Sequence, residues 1–85
     1  LRYFDVPYHN YMQGAVCYRG KVYEVEGFGK DVRAALRIID LAHESEELYF
    51  DFYEAGIEAE PELIDFYRGS CIYIDAHGSA FLLSF

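Results

Sequence analysis

The sequence predicts an α+β fold: an antiparallel sheet of about four to five strands, built from N-terminal and C-terminal hairpins, with two to three acidic helices from the middle of the chain packed on one face. Three observations predict it. β-prone runs flank short turn dipeptides near both ends, apolar residues recur at helical spacing from residue 32, and carboxylates recur every three or four residues between 44 and 58.

At the N-terminal end, Gly14 to Tyr18 and Lys21 to Val25 are β-prone runs separated by Arg19-Gly20, a dipeptide suited to a two-residue hairpin turn. Tyr3 to Tyr8 adds an edge strand, where Pro7 can lack its ladder donor without cost. Gly27-Phe28-Gly29 reads as a turn, because Asp31 behind it would repel a phosphate. Val32, Ala35, Leu36, Ile39 and Ala42 then follow Asp31 at helical spacing, with Asp31 as the N-cap.

Residues 45 to 55 satisfy two patterns. Leu48 to Tyr53 alternates like a strand and is rich in β-prone aromatics, whereas the carboxylate spacing and the row Leu48, Phe52, Ala55 fit a helix. The charges favour the helix, with Ser45 as N-cap and Gly56 as stop. A further short helix starts at Glu60, with Pro61 in its first turn and Gly69 after its end. The last segment is a hairpin about His77-Gly78, which sets Ile74 opposite Phe81, Ile72 opposite Leu83 and Ser70 opposite Phe85.

Eighty-five residues, 53% hydrophobic and 19% aromatic, suit a single domain over 1–85 with one core, and the composition is far from that of disordered chains. No apolar run approaches the roughly 20 residues of a membrane span, and the first residues lack the apolar stretch of a signal peptide, so a cytoplasmic location is expected. Cys17 and Cys71 form no C-x-x-C pair, and His9, His43 and His77 have no metal-ligand spacing. No cofactor or metal is expected. Nor is catalysis: G-x-S-x-G, H-E-x-x-H and P-loop motifs are missing, and so small a domain has little room to enclose a pocket.

Charge is the main functional signal. The formal net charge is -8, and ten carboxylates (Asp40, Glu44, Glu46, Glu47, Asp51, Glu54, Glu58, Glu60, Glu62 and Asp65) occupy a stretch between Arg37 and Arg68 that holds no Lys or Arg. Like charges spaced along helices repel, so solubility alone would be served better by mixed signs. Such a row can imitate nucleic-acid phosphates and enter a Lys/Arg-lined channel. The expected partner-binding residues are Glu44, Glu47, Tyr49, Asp51, Tyr53, Glu54 and Glu58, the tyrosines serving as flat interface anchors. Against this stands the commoner role of an acidic helix face, which is to be solvated.

The charge pattern of residues 40 to 65 resembles that of the small acidic inhibitors that phages and mobile elements direct against restriction, CRISPR or repair enzymes. The carboxylate row itself points to a basic protein partner, a nucleic-acid-binding enzyme, and away from direct contact with nucleic acid, whose phosphates it would repel; no membrane contact is expected. The resemblance rests on charge and carries neither fold nor partner. The alternative is a homo-oligomeric or adaptor module in which sixteen aromatic rings serve association and the acidity serves solubility.

Overall fold

The computed structural model describes residue 3 and residues 11–28, 32–57 and 60–84. Their regular structure is entirely β: β1 (Met12–Tyr18), β2 (Lys21–Phe28), β3 (Val32–Asp40), β4 (Ser45–Asp51), β5 (Pro61–Tyr67), β6 (Ser70–Asp75) and β7 (Ala80–Leu83). Two antiparallel meanders result, a four-stranded sheet in the order β1-β2-β3-β4 and a three-stranded sheet in the order β5-β6-β7. The α+β expectation is therefore corrected. No helix occurs among the described residues, and each segment expected to be helical is a strand.

The physical reason differs from strand to strand. Across β3, Ala34 to Ile39 are all buried, so both faces of this inner strand carry side chains suited to burial. A doubly buried strand is a near-continuous apolar run, and the spacing of Val32, Ala35, Leu36 and Ile39 then fits a helix by coincidence. β4 is the strand that its Leu48 to Phe50 alternation suggested, and the three-to-four spacing of carboxylates arises from a bulge and a turn. The register steps from Ile38↔Leu48 to Ile39↔Glu46, leaving Glu47 as the extra residue. Gly56 does end a turn, at φ 90°, but the turn follows a strand: the N–H groups of Ala55 and Ile57 both donate to the Phe52 carbonyl. Pro61 opens β5 instead of a helix, at the first residue of a strand, where a missing donor costs least.

The first hairpin forms as expected, Tyr18 opposite Lys21, with Arg19 at φ 50° and Gly20 at φ 79°. This pair of left-handed residues is the turn that matches strand twist. The same device recurs between β5 and β6, where Arg68 and Gly69 adopt φ 50° and 82°. The resemblance extends to the preceding ring: the Arg19 guanidinium lies 5.2 Å from the Tyr18 centroid and the Arg68 guanidinium 5.3 Å from that of Tyr67. Tyr-Arg-Gly is thus used twice to close a hairpin.

The C-terminal hairpin exists but is shifted by one residue. Tyr73 faces Phe81 and Ile72 faces Leu82, because Asp75 closes a wider loop than the two-residue turn expected. Its Oδ1 accepts from the N–H groups of His77 and Ser79, each at 2.9 Å, and its own N–H donates to the Ser79 carbonyl. The slip exchanges the faces of β6 alone. Cys71 and Tyr73 are buried while Ile72 and Ile74 are half-buried, whereas on β7 Phe81 and Leu83 pack on the core as expected and Leu82 is exposed. The expected edge strand from Tyr3 to Tyr8 and the pairing of Phe85 lie outside the described residues, apart from an exposed Tyr3.

One apolar cluster joins the sheets: Val25, Ala34, Leu36, Ile38 and Phe52 from the first sheet and its following turn, against Ile64, Cys71 and Tyr73. Tyr18 stacks on Phe66 at 4.0 Å and Tyr73 packs on Phe52 at 4.5 Å. The sheets approach closely at Gly27, where β2 bulges. A Cβ there would lie 2.9 Å from Pro61 Cδ and 3.1 Å from Ala34 Cα. Among the described residues, no helix is long and apolar enough to cross a membrane.

Candidate functional site

The sheet pairing rearranges the charge. In sequence the cations precede the carboxylates, but the antiparallel order β2-β3-β4 folds the two blocks over each other. Lys21 Nζ on β2 reaches Glu47 Oε2 on β4 at 2.8 Å, Arg33 Nη1 on β3 meets Asp51 Oδ2 at 3.3 Å, and Arg37 Nε meets Glu46 Oε1 at 2.9 Å. Three carboxylates of the acidic stretch are therefore counter-ions of the sheet.

The third pair lies in a buried polar cluster on the sheet face opposite the apolar core. Glu24 is directly opposite Arg37 in register, and Arg37 is opposite Tyr49. Glu24, Glu26 and Arg37 are 1%, 2% and 0% exposed. Arg37 Nη2 lies 3.7 Å from Glu26 Oε2, and the Tyr49 hydroxyl donates to Glu26. Among the described residues, neither oxygen of Glu24 has a hydrogen-bond partner. Three carboxylates around one guanidinium favour uptake of a proton. Burial first, then the Glu26 and Glu46 carboxylates, push Glu24 from the ordinary 4.5 up to about 7. Burial and Glu46 do the same to Glu26, also up to about 7, against the opposing effect of the Tyr49 hydrogen bond.

Above this cluster, β4 is a surface strand: residues 45 to 50 are exposed, including Leu48 (38%), Tyr49 (45%) and Phe50 (39%). The turn after it is held by Asp51, whose Oδ1 accepts from the N–H groups of Tyr53 at 2.9 Å and Glu54 at 3.3 Å. Arg33, already paired with Asp51, places its guanidinium 4.3 Å from the Tyr53 ring centroid. Tyr49, Phe50, Asp51, Glu54 and Ala55 line an open groove of about 530 Å³.

The residues expected to bind a partner divide accordingly. Tyr49, Asp51 and Glu54 converge on the groove, with Tyr53 beside it through Arg33. Glu47 lies toward the other end of β4 on Lys21, and Glu44 is in the preceding turn at φ 53°. Glu58 lies outside the described residues. The common helical face on which they were to stand does not exist.

Sequence reasoning missed Leu48 and Phe50 as surface residues, and missed Glu24, Glu26 and Arg37 as a buried unit. The alternation from Leu48 to Tyr53 could have revealed the first group. Nothing local marks the second, since two glutamates alternating with Val25 are ordinary for a half-exposed strand. Among the described residues, no group of three or more His, Cys, Asp or Glu side chains is arranged to hold a metal ion. Cys71 is a core residue whose thiol is pushed up to about 11, chiefly by burial. Comparison with protein-family models, with curated proteins and with solved structures finds no match to this chain.

Proposed function

We propose that this chain is a protein-binding module that engages a basic partner through β4 and the turn that follows it. The observation that carries the reading is the convergence of exposed aromatic rings and carboxylates on one groove, Tyr49 and Phe50 beside Asp51 and Glu54. Aromatic rings rimmed by charge are the usual makeup of an interface centre. Electrostatics adds selectivity. Even with Lys21, Arg33 and Arg37 paired, the chain keeps a net charge of -8, which steers cationic surfaces toward it and repels nucleic acid and anionic lipid. A nucleic-acid-binding enzyme fits on charge, because its Lys/Arg-lined channel is built for a dense anion. The imitation would then come from an acidic strand and turn, and no longer from a helix.

The test compares wild type with a Phe50→Ser, Glu54→Gln double variant in capture from host lysate at about 50 and 200 mM salt, with and without added DNA. The expected result is capture of a basic protein by wild type, loss of it at the higher salt and in the variant, and competition by DNA if the captured surface is a nucleic-acid channel. Capture that is indifferent to salt and to the variant would overturn the proposal. Glu54 is exposed, whereas Phe50 is 39% exposed and its ring meets Phe52 edge-on at 5.2 Å, so the variant should lose on the order of 1 kcal/mol and melt about 4–8 °C lower while remaining folded at the temperature of capture.

A further inference from the structure

We infer that β4 binds its partner by strand addition, taking an extended basic segment as a further strand of the four-stranded sheet. This rests on the proposal that β4 is the binding region, and it specifies the mode and the chemistry of the occupant.

Position supports it first. β4 is the terminal strand of the order β1-β2-β3-β4, and residues 45 to 50 are exposed along its length. Its orientation can be read from one bond. The Phe52 N–H donates to the Ala34 carbonyl at 2.8 Å, so the backbone groups of Phe52 face β3. In an antiparallel ladder both groups of a residue face one side, and the side alternates along the strand. Phe50 and Leu48 therefore also face β3, while Asp51 directs its backbone to the outer edge. A terminal strand with alternate groups aimed outward is a template for another chain.

Charge selects the occupant. Asp40, Glu44, Glu46, Glu47, Asp51 and Glu54 stand on β4 and at its two ends, and the facing cations are Lys21, Arg33 and Arg37. An acidic excess remains. A second copy would lay one acidic β4 beside another, and like charges directly opposite on paired strands are destabilising. Carboxylates along an edge keep it from pairing with its own kind, and the bulge at Glu47 confines any added strand to the regular stretch from Leu48 to Asp51. A Lys- or Arg-bearing strand escapes that repulsion. Its apolar side chains would extend the row of Leu48 and Phe50, which continues the Ile38 and Leu36 face of β3 beyond the buried core.

The other edges are less suited. β1 is drawn against β5 by the Tyr18 and Phe66 stack, and β7 spans only the four residues Ala80–Leu83.

The probes are end-capped eight-residue peptides titrated at about 50 mM salt. One alternates Lys with Val, a second replaces Lys by Glu, and a third is the Lys-Val peptide N-methylated throughout, so that it keeps its charge but cannot donate to an edge. Strand addition predicts that the Lys-Val peptide binds, that the other two bind at least 10-fold more weakly, and that the saturating peptide slows amide exchange of Asp51 at least 10-fold. The amide of Phe50, already in the ladder with β3, should change little. If the N-methylated peptide binds as well as its parent and Asp51 is unprotected, strand addition is wrong while the acidic binding surface stands. If the Glu-Val peptide binds as well as the Lys-Val peptide, or if neither binds, the basic-partner reading falls with it. Dimer formation with Asp51 protected in the absence of peptide would make a second copy the occupant and overturn the inference.

Discussion

The two faces of the four-stranded sheet are both closed to solvent through the middle of β2 and β3, by opposite chemistry. On one, Val25, Leu36 and Ile38 pack against Ile64, Cys71 and Tyr73 of the second sheet. On the other, Glu24 and Glu26 surround Arg37, with Glu46 and Tyr49 reaching in from β4. The apolar face gains from burial in proportion to area and is indifferent to pH. The polar face has more anions than cations, so its energy depends on how many protons it holds. One sheet thus carries a core that sets stability and a cluster that makes stability conditional.

Removing the central member of each face should separate them. Arg37→Ala leaves buried carboxylates without their guanidinium and should cost about 3–5 kcal/mol near pH 8. Leu36→Ala, which deletes fully buried apolar atoms, should cost about 2–5 kcal/mol. The magnitudes overlap, but their pH dependence should not. The Arg37 deficit should shrink toward pH 5, where Glu24 and Glu26 are protonated, whereas the Leu36 deficit should stay constant. Denaturant unfolding at the two pH values checks this, and equal shrinkage of both deficits would break the comparison.

A smaller effect concerns the wild-type pH profile. Glu24 and Glu26 hold protons in the folded state up to about 7 but release them near 4.5 when unfolded. Between these values the native state binds more protons, so stability should fall as pH rises from about 4.5 to about 7 and then level off. Glu24→Gln removes one of the two groups and should flatten that slope while raising stability at pH 8 by on the order of 1 kcal/mol. Thermal midpoints from pH 4.5 to 8.5 measure it. A profile that rises through this window would mean that the cluster is ionised without penalty.

The smallest effect belongs to the surface. Lys21 and Glu47 are paired at 2.8 Å but remain substantially exposed, so Glu47→Gln should change stability by about 0–1 kcal/mol, and less at high salt. Asp51 differs from Glu47 despite a similar sequence setting, because it holds two turn amides as well as Arg33. Its replacement by Ala should cost about 1–2 kcal/mol, which chemical denaturation resolves.

These contrasts show what the chain discloses before it folds. The Arg19-Gly20 hairpin is legible because its signal is local, a pair of residues suited to positive φ between two β-prone runs. The equivalent signal at Arg68-Gly69 was present too, down to the preceding tyrosine, but Pro61 and Gly69 also fit the ends of a short helix. His77-Gly78 marks the right turn, yet the register depends on the Asp75 side chain, which no dipeptide pattern contains. β3 is illegible for a deeper reason: burial on both faces removes the alternation by which a strand is recognised. The candidate groove was partly legible. Tyr49, Asp51 and Glu54 do converge, although on a groove beside a strand, while the pairing of Lys21 with Glu47 and of Arg37 with Glu46 follows from sheet register alone.

The central claim is that partners are met at β4, and the most direct measurement is amide hydrogen exchange across the whole chain, with and without the captured basic protein. Protection on binding should be concentrated in Ser45–Asp51 and in the turn formed by residues 52 to 57, with β6 and β7 exchanging as in the free protein. Protection spread over β5 to β7, or a β4 that exchanges at the same rate in the complex as alone, would contradict the account.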